Sequence, residues 1–309
     1  MKICILGAGA LGSAIGGCLS EAGSDVYLVS NAADHIEAMR ANGLRLREEG
    51  QDRNVKVNAA LDSIEIGPVD LVVLLVKSFH TRVAIEGASS LIGPNTVVLS
   101  LQNGLGHEEV LSEMVGRQRV IAGKTYIGGV MLGPGHVLAA RHGKLTIIGE
   151  LDGTISERAL RVSQEFERAG LHVKVDDNIV GKMWDKLLIN AATGPLCGIT
   201  RLPYGELYKL QEMRDCALKA VSEAMTVAKA LGVRLSIDDP AEVWRLAAEG
   251  LPAEFKPSML QSIEMGSVTE IDCVNGAVVR LGRKMGMPTP VNDVLVSCVK
   301  GIERALLLP

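Results

Sequence analysis

The chain has 309 residues, of which 47% are hydrophobic, 22% charged and 3% aromatic, and its formal net charge at pH 7 is −4. This length is generous for one hydrophobic core and suits two domains. The lack of a basic patch excludes nucleic acid and anionic membranes as main partners, and the few aromatic rings offer no stacking platform for single-stranded nucleic acid. We therefore expect a globular protein with neither a nucleic-acid nor a membrane partner.

Six cysteines lie scattered along the chain without a C-x-x-C pair. They indicate reduced thiols in a reducing, cytosolic compartment rather than a disulfide framework or a zinc site. The six histidines show no ligand spacing, so we predict no metal site. Residues 3–19 superficially resemble a signal peptide, but their five glycines and the lack of a clear cleavage site favour a folded segment.

The first half of the chain alternates β-type and helical segments. Strands are predicted at 1–6, 25–29, 69–76 and 96–101, and helices at 11–22, 33–41 and 82–91. The runs VDLVVLLV and TVVLSL are apolar throughout, as is typical of strands buried on both faces of a parallel sheet. The alternation predicts an α/β fold with a doubly wound sheet.

The second half changes character. Short runs at 120–128, 135–140 and 144–148, punctuated by Gly, predict an antiparallel meander, and 171–175 predicts a last strand. After Asp177 only helical periodicity remains, at 179–192, 206–231, 240–249, 256–264 and 269–285. We therefore predict an α/β domain over 1–177 and an all-helical domain over 178–309, without a flexible linker.

A glycine-rich segment follows the first predicted strand: Gly7-Ala8-Gly9-Ala10-Leu11-Gly12. In G-x-G-x-x-G, the first Gly permits a tight turn, the second lets a pyrophosphate approach the backbone, and the third lets helix and strand pack closely. The helix N-terminus then supplies N–H groups for the phosphates. Strand, motif, helix and second strand in this order predict a dinucleotide site; a Gly-rich turn without a ligand is the alternative.

The residues after the second predicted strand bear on the choice between NAD and NADP. An NAD enzyme usually places Asp or Glu there, and an NADP enzyme a basic group. This chain has Ser30 and Asn31, whereas Asp34 comes slightly too late and Asp25 begins the strand. The pattern favours NADP(H) and leaves NAD(H) open.

Five segments, in order and spacing, carry a family resemblance: GAGALG at 7–12, VKS at 76–78, QNGLG at 102–106, WDKLLIN at 184–190 and TEIDCVNG at 269–276. Over essentially its full length the chain resembles ketopantoate reductases (2-dehydropantoate 2-reductases). The resemblance implies a Rossmann-type domain followed by an all-helical C-terminal domain, with the active site between them. It implies reduction of ketopantoate to D-pantoate by NADPH, in pantothenate biosynthesis, and leaves monomer and homodimer both open.

The resemblance assigns catalysis to Lys186 and Glu270. Lys186 would be the general acid toward the substrate carbonyl, where hydride transfer builds negative charge on oxygen. Glu270 would hydrogen-bond substrate hydroxyl and carbonyl groups, and Asn190, on the same helical face as Lys186, would bind the oxyacid. From the residues alone, Lys186 also fits a solvated surface lysine. Similarly, Ser267-x-x-Glu270 fits a capping box that begins a last helix.

Three further site residues follow from the resemblance. Asn103 would lie beside the nicotinamide and the substrate, Lys77 near the cofactor, and Ser258 against the substrate carboxylate. Asn103 and Lys77 follow predicted strands, and parallel sheets bind ligands at such strand ends. The alternatives are an ordinary Asn-Gly turn for Asn103 and a helix N-cap for Ser258.

Three positions depart from the family pattern. Gly194 and Ser262 stand where the family commonly has Asn and Asp, and Asn31 stands where it usually has Arg. The first two bear on the substrate and the third on the cofactor. The alternatives are therefore an NAD(P)-dependent D-2-hydroxyacid dehydrogenase for another branched or aromatic 2-oxoacid, and a non-catalytic dinucleotide sensor.

Overall fold

A computed structural model describes residues 1–307. These residues form two compact units. The first comprises residues 1–102 and 107–179, and the second comprises Asn103–Gly106 together with the chain from Val180 onward. The sequence-based division at residue 177 did not anticipate that Asn103–Gly106 would cluster with the helical unit.

The first unit contains twelve strands and five helices. The strands are β1 (Lys2–Leu6), β2 (Asp25–Val29), β3 (Leu44–Glu48), β4 (Gln51–Val55), β5 (Asn58–Ala60), β6 (Leu71–Leu74), β7 (Val97–Ser100), β8 (Val120–Thr125), β9 (Gly128–Gly133), β10 (His136–Ala140), β11 (Leu145–Gly149) and β12 (His172–Val175). The helices are α1 (Ala10–Glu21), α2 (Ala33–Asn42), α3 (Thr81–Gly87), α4 (His107–Val115) and α5 (Glu157–Arg168). Short 3-10 turns cover Ser78–His80, Ser89–Leu91 and Arg117–Arg119.

Eight strands form the main sheet, in the order β12-β11-β8-β7-β6-β1-β2-β5. All neighbours are parallel except β8 and β11. The chain runs outward from β1 to β2 on one side and then crosses to β6 on the other, so the strand order reverses at β1. Doubly wound sheets bind ligands at the carboxyl ends of the strands beside such a reversal.

Both faces of this sheet are covered, as the apolar runs predicted. Ile3 and Ile5 of β1 join a buried cluster on one face, and Cys4 and Leu6 join a separate cluster on the other. Alternate side chains of a strand point to opposite faces, so each residue from Ile3 to Leu6 is buried on its own side. The expected doubly wound α/β sheet is thereby confirmed.

A second, four-stranded sheet in the order β4-β3-β10-β9 was not predicted. The expected meander over 120–148 was wrong: β8 and β11 pair in the main sheet, whereas β9 and β10 form a hairpin in the second sheet and β10 runs parallel to β3. The run LRLRE, which forms β3, was not predicted as a strand. Its Leu44 and Leu46 are fully buried, while the guanidinium groups of Arg45 and Arg47 pair with Asp52.

The second unit is helical, as expected. Its helices are α6 (Ile179–Thr200), α7 (Tyr204–Leu207), α8 (Gln211–Ala230), α9 (Pro240–Ala248), α10 (Ser258–Glu264), α11 (Asn275–Lys284) and α12 (Pro290–Leu306), with a 3-10 turn at Ile271–Cys273. The prediction ended α6 at residue 192, merged α7 with α8, ran a helix through 269–285 and missed α12. Pro195 lies inside α6, and interior proline normally ends a helix.

A buried histidine connects three parts of the first unit. Nδ1 of His35 accepts a hydrogen bond from the Gly135 amide at 2.9 Å, and Nε2 lies 2.9 Å from Ser13 Oγ. Ser13 Oγ in turn donates to the Ala8 carbonyl, in the glycine-rich turn, at 3.2 Å. Because Nδ1 accepts, the neutral ring donates its Nε2 proton to Ser13. Burial lowers the pKa of His35, which keeps the ring neutral.

We expect this lowered pKa to make the fold less stable in mild acid. The ordinary value is 6.5, and between the folded-state value and 6.5 the unfolded chain binds more protons than the folded one. The free energy of unfolding therefore rises with pH across this window. The contribution is complete above the ordinary value and is lost as the pH falls through the folded-state value.

Thermal unfolding of the wild type and His35→Gln at about pH 8 and about pH 5 measures this effect. We expect the stability advantage of the wild type over the variant to shrink at the lower pH. The matched control is His142→Gln, because the His142 side chain is 89% exposed. An advantage over His35→Gln that is equal at both pH values would contradict the assignment.

Candidate active site

The glycine-rich turn connects β1 to α1 at the point where the strand order reverses. The amides of Gly7 and Ala8 donate to the Val29 carbonyl at 3.0 and 2.8 Å. Gly7 has φ +106, and a Cβ added there would lie 2.4 Å from the backbone nitrogen of Val76. A Cβ on Gly12 would lie 2.3 Å from the Gly7 carbonyl oxygen. These two positions require glycine for the fold itself.

Gly9 differs from Gly7 and Gly12. A Cβ added at Gly9 meets no atom within 4 Å, so protein packing does not explain the missing side chain. Gly9 is the N-cap of α1, which has no side-chain cap and no acidic residue in its first turn. The first-turn N–H groups, from Ala10 to Gly12, lack acceptors within the helix. Open space beside uncapped N–H donors fits a pyrophosphate group.

The residues that follow β2 present neutral side chains. Ser30 is half-buried and its Oγ accepts a hydrogen bond from the Ala32 amide at 3.3 Å, while Asn31 is exposed. The carboxylate of Asp34 is exposed in the first turn of α2, beyond the strand end. The two residues that follow β2 are therefore polar and uncharged.

The ends of β6 and β7 are tied together by a glutamine that the sequence analysis did not single out. Nε2 of the buried Gln102 donates to the Val76 carbonyl and to Thr81 Oγ1, both at 2.9 Å. Lys77 follows Val76, is exposed, and caps the 3-10 turn Ser78–His80. Gln102 therefore holds the turn that presents Lys77. Its place inside the QNGLG segment was the available signal.

In the helical unit, Lys186 and Asn190 lie four residues apart on α6 and are both half-buried. Residues around them, Trp184, Leu187 and Leu188, are at most 2% exposed. Side chains at i and i+4 lie on the same helical face, so the ammonium and amide groups point the same way from a firmly packed helix. The Lys186 side chain is partly shielded from solvent.

The neighbouring Asp185 carboxylate has a structural partner. It is 6% exposed, and its Oδ1 accepts a hydrogen bond from the Ser236 amide at 2.9 Å. Lys182 lies 3.9 Å from Oδ2 of the same carboxylate. Asp185 thereby anchors the loop before α9 to α6.

An asparagine allows α6 to continue through Pro195. Proline has no N–H, so the Ala191 carbonyl, four residues earlier, receives no helical hydrogen bond from it. Nδ2 of Asn275 donates to this carbonyl at 3.2 Å and to Asn292 Oδ1 at 2.9 Å. Asn292 and Asn275 are fully buried. The amide of Asn275 therefore replaces the missing hydrogen bond, one residue after Asn190.

Glu270 directly precedes the 3-10 turn Ile271–Cys273 and is half-buried. The capping-box alternative was wrong, because no α-helix begins here: α11 starts only at Asn275. The Leu105 amide donates to the Cys273 carbonyl at 2.9 Å. Gly104 has φ +89, and a Cβ on it would lie 2.3 Å from that carbonyl oxygen. The segment that carries Asn103 is therefore packed on the turn that follows Glu270.

Ser258 is the exposed first residue of α10, and Pro257 is its N-cap, so the N-cap alternative for Ser258 was wrong. Two of the three positions that depart from the family pattern, Ser262 and Gly194, lie on α10 or against it. Ser262 is buried on α10. A Cβ on Gly194 would lie 3.6 Å from Met259 Cε, which is ordinary contact, so an apolar Met side chain lies over Gly194.

The sequence-derived residues are divided between the two units. The glycine-rich turn, Ser30, Asn31 and Lys77 lie at or beyond the carboxyl ends of β1, β2 and β6. Lys186, Asn190, Glu270 and Asn103 belong to the helical unit. Within residues 1–307 no cluster of His, Cys, Asp and Glu suits a metal ion. No helix in that range combines the length and apolarity needed to span a bilayer.

Comparison with known proteins agrees over the whole chain. The family model "Ketopantoate reductase PanE/ApbA" matches residues 3–153, and "Ketopantoate reductase PanE/ApbA C terminal" matches residues 178–303. A 2-dehydropantoate 2-reductase of Pyrococcus horikoshii is 36% identical over 304 residues, 98% of each chain. A second, from Mesorhizobium japonicum, is 34% identical over 329 residues, covering 98% of this chain and 99% of the relative.

Solved structures agree as well. A PanE/ApbA family ketopantoate reductase from Ralstonia eutropha superposes with a TM-score of 0.91 at 36% identity, over 100% of both chains. D-mandelate dehydrogenase in complex with NADH and anilino(oxo)acetate also gives a TM-score of 0.91, at 29% identity and with the same coverage. Both family models and full-length relatives match, and this chain belongs to the ketopantoate reductase family.

Proposed function

We propose that this protein is a 2-dehydropantoate 2-reductase, which uses NADPH to reduce ketopantoate to D-pantoate. The observation that carries the proposal is that one chain has both a complete dinucleotide turn, open at Gly9, and a half-buried Lys186 on a packed helix. The full-length relatives named as 2-dehydropantoate 2-reductases support it. A sensor that only binds a dinucleotide needs no proton donor at position 186.

The chemistry divides between the cofactor and the chain. A bound nicotinamide supplies the hydride that the keto carbon accepts. Lys186 donates the proton that the developing oxyanion needs, and a positioned donor of this kind stabilises the transition state. Asn190, on the same face of α6, hydrogen-bonds the oxyacid and fixes its orientation.

Three other side chains bind and orient the reactants in this proposal. Glu270 accepts hydrogen bonds from the substrate hydroxyl, and its neighbouring turn supports Asn103, which lies beside the nicotinamide ring. Ser258, exposed at the start of α10, binds the substrate carboxylate. Lys77 contacts the cofactor from the turn that Gln102 holds.

A second candidate substrate is a 2-oxoacid with a more apolar side chain. It is favoured by Met259, whose side chain lies over Gly194 where the family commonly has a polar Asn. An apolar wall binds an apolar substrate arm without leaving a buried donor unpaired. The similarity to D-mandelate dehydrogenase, at 29% identity, supports the same chemistry on such a substrate.

We also infer a reducing, cytoplasmic location. None of the six cysteines forms a disulfide. Burial raises the pKa of Cys4 to about 12 and that of Cys18 to about 11, so both thiols stay protonated and unreactive. We further propose that the partner of the protein is a small 2-oxoacid. Its oligomeric state, monomer or homodimer, is measured by size-exclusion chromatography.

The openness at Gly9 gives a direct test of cofactor binding. We expect Gly9→Ala to fold with an unchanged melting temperature, since the new methyl group meets no protein atom within 4 Å. The same methyl group would occupy the space of the pyrophosphate, so we expect the Kd for NADPH to rise about tenfold or more. Fluorescence titration measures it. Gly87→Ala, which also meets no atom within 4 Å, is the control. Unchanged NADPH affinity in Gly9→Ala would contradict the assignment.

The neutral pair Ser30 and Asn31 makes cofactor preference easy to change. We expect Asn31→Asp to raise the KM for NADPH about tenfold while the KM for NADH stays nearly constant, because a carboxylate repels the 2′-phosphate. Asn31→Arg should lower the KM for NADPH. Steady-state kinetics with both cofactors measure this. If neither variant changes the ratio of the two KM values, residue 31 does not contact the 2′ group.

Replacement of Lys186 by Ala tests the proton donor. We expect kcat for ketopantoate reduction to fall by about 10²- to 10⁴-fold, the usual contribution of general acid catalysis. The Kd for NADPH should stay near that of the wild type, because the dinucleotide turn is untouched. Lys219→Ala removes an exposed lysine of the same unit and serves as the control. Near-normal kcat in Lys186→Ala would show that another group donates the proton.

A further inference from the structure

A buried carboxylate on α12 holds the residue before Glu270. Oε1 of Glu303 accepts two hydrogen bonds from Thr269, one from the backbone amide at 2.7 Å and one from Oγ1 at 2.6 Å. Glu303 is 5% exposed and Thr269 is 1% exposed. Charge-assisted hydrogen bonds of this length are the stronger kind in proteins. They connect two segments that lie 34 residues apart.

The same helix holds the turn at a second point. Nζ of Lys300 lies 3.0 Å from Glu303 Oε2 and 2.7 Å from Asp272 Oδ2. Burial alone would lower the pKa of Lys300, but hydrogen bonds to both carboxylates outweigh burial and raise it. Between these polar contacts, the fully buried side chains of Ile271 and Val299 belong to one apolar cluster. Thus α12 holds the turn both before and after Glu270.

Hydrogen bonds also fix the backbone on both sides of Glu270. Thr269 Oγ1, which donates to Glu303, accepts the amide of Ile271 at 3.2 Å. The amides on both sides of Glu270 are therefore fixed, directly or through one hydroxyl, by the Glu303 carboxylate. The carbonyl of Glu270 accepts the Cys273 amide at 3.0 Å, which continues the turn toward the Asn103 segment.

We propose that Glu303 is a positioning residue for this reaction: through Thr269 it fixes Glu270 in the orientation that binds the substrate. This inference rests on the proposed function, in which Glu270 contacts the substrate. A buried carboxylate is costly unless it is well paired, and an apolar side chain would serve packing alone at less cost. Thr269 donates both hydrogen bonds to Oε1, and this need for an acceptor explains why a carboxylate is present.

Three variants test the proposal, each measured with ketopantoate and NADPH. Thr269→Val removes the hydroxyl, and Glu303→Gln removes the charge; for both we expect kcat/KM for ketopantoate to fall roughly tenfold, as small misplacements of site groups do. The Kd for NADPH should not change. Thr269→Ser keeps the hydroxyl and should restore kcat/KM. Asp293→Asn changes another carboxylate of α12, one that forms an exposed pair with Arg283 of α11, and is the matched control.

A double-mutant cycle separates positioning from simple stability. In a Glu270→Gln background we expect Thr269→Val to cause little further loss of kcat/KM, because the group it positions is already changed. Losses that multiply would overturn the proposal. So would variants with a lower melting temperature but wild-type kcat/KM at an assay temperature well below it.

Hydrogen exchange provides a readout that does not depend on turnover. The amides of Thr269 and Ile271 should exchange faster in Thr269→Val and Glu303→Gln than in the wild type or Asp293→Asn. Unchanged exchange would overturn the positioning proposal whatever the enzyme reduces. Conversely, a wild type that exchanges slowly here but reduces no 2-oxoacid would contradict the proposed function instead.

Discussion

The backbone contact between Gly7 and Val76 is the constraint on which the first unit depends. A Cβ on Gly7 would lie 2.4 Å from the Val76 nitrogen, so the turn after β1 packs directly on the chain that leaves β6. The contact brings the uncapped N-terminus of α1 to the point where the strand order reverses. Gln102 then adds the end of β7 through its hydrogen bond to Val76. The ends of β1, β6 and β7 thus meet beside the uncapped N-terminus of α1.

In the helical unit, side-chain hydrogen bonds supplement the backbone hydrogen bonds beside the residues that we propose take part in the reaction. Asn275 completes α6 beside Asn190, and Glu303 holds the turn beside Glu270. Asn275 donates to a residue that is distant in the sequence, and Glu303 accepts from another. The helices that carry them, α11 and α12, contain no residue that we propose to react. A helix that contains an interior proline and a 3-10 turn of only three residues would otherwise leave these groups loosely oriented. The orientation of these side chains in the helical unit therefore depends on buried polar contacts.

The sequence predicted what depends on local pattern. The predicted bounds of β2 and the predicted start of α2 matched the structure, because the spacing of apolar residues and the flanking residues indicate the same bounds there. The second sheet was missed although Leu44-Arg45-Leu46-Arg47 alternates apolar and polar residues as a half-buried strand does, because the run is short and its partner strand β10 lies far along the chain. The roles of Asn275 and Glu303 were out of reach for another reason. Their partners lie 84 and 34 residues away, and only the folded chain brings them together.

The choice of substrate is the most direct test of this account, because Gly194 stands where the family commonly has a polar Asn and the Met259 side chain lies over it. Steady-state oxidation of NADPH by the wild type, with ketopantoate, 2-oxoisovalerate and phenylglyoxylate compared at equal enzyme concentration, answers it. We expect the highest kcat/KM with ketopantoate. A higher kcat/KM with phenylglyoxylate, or no turnover with any of the three, would contradict the proposed function.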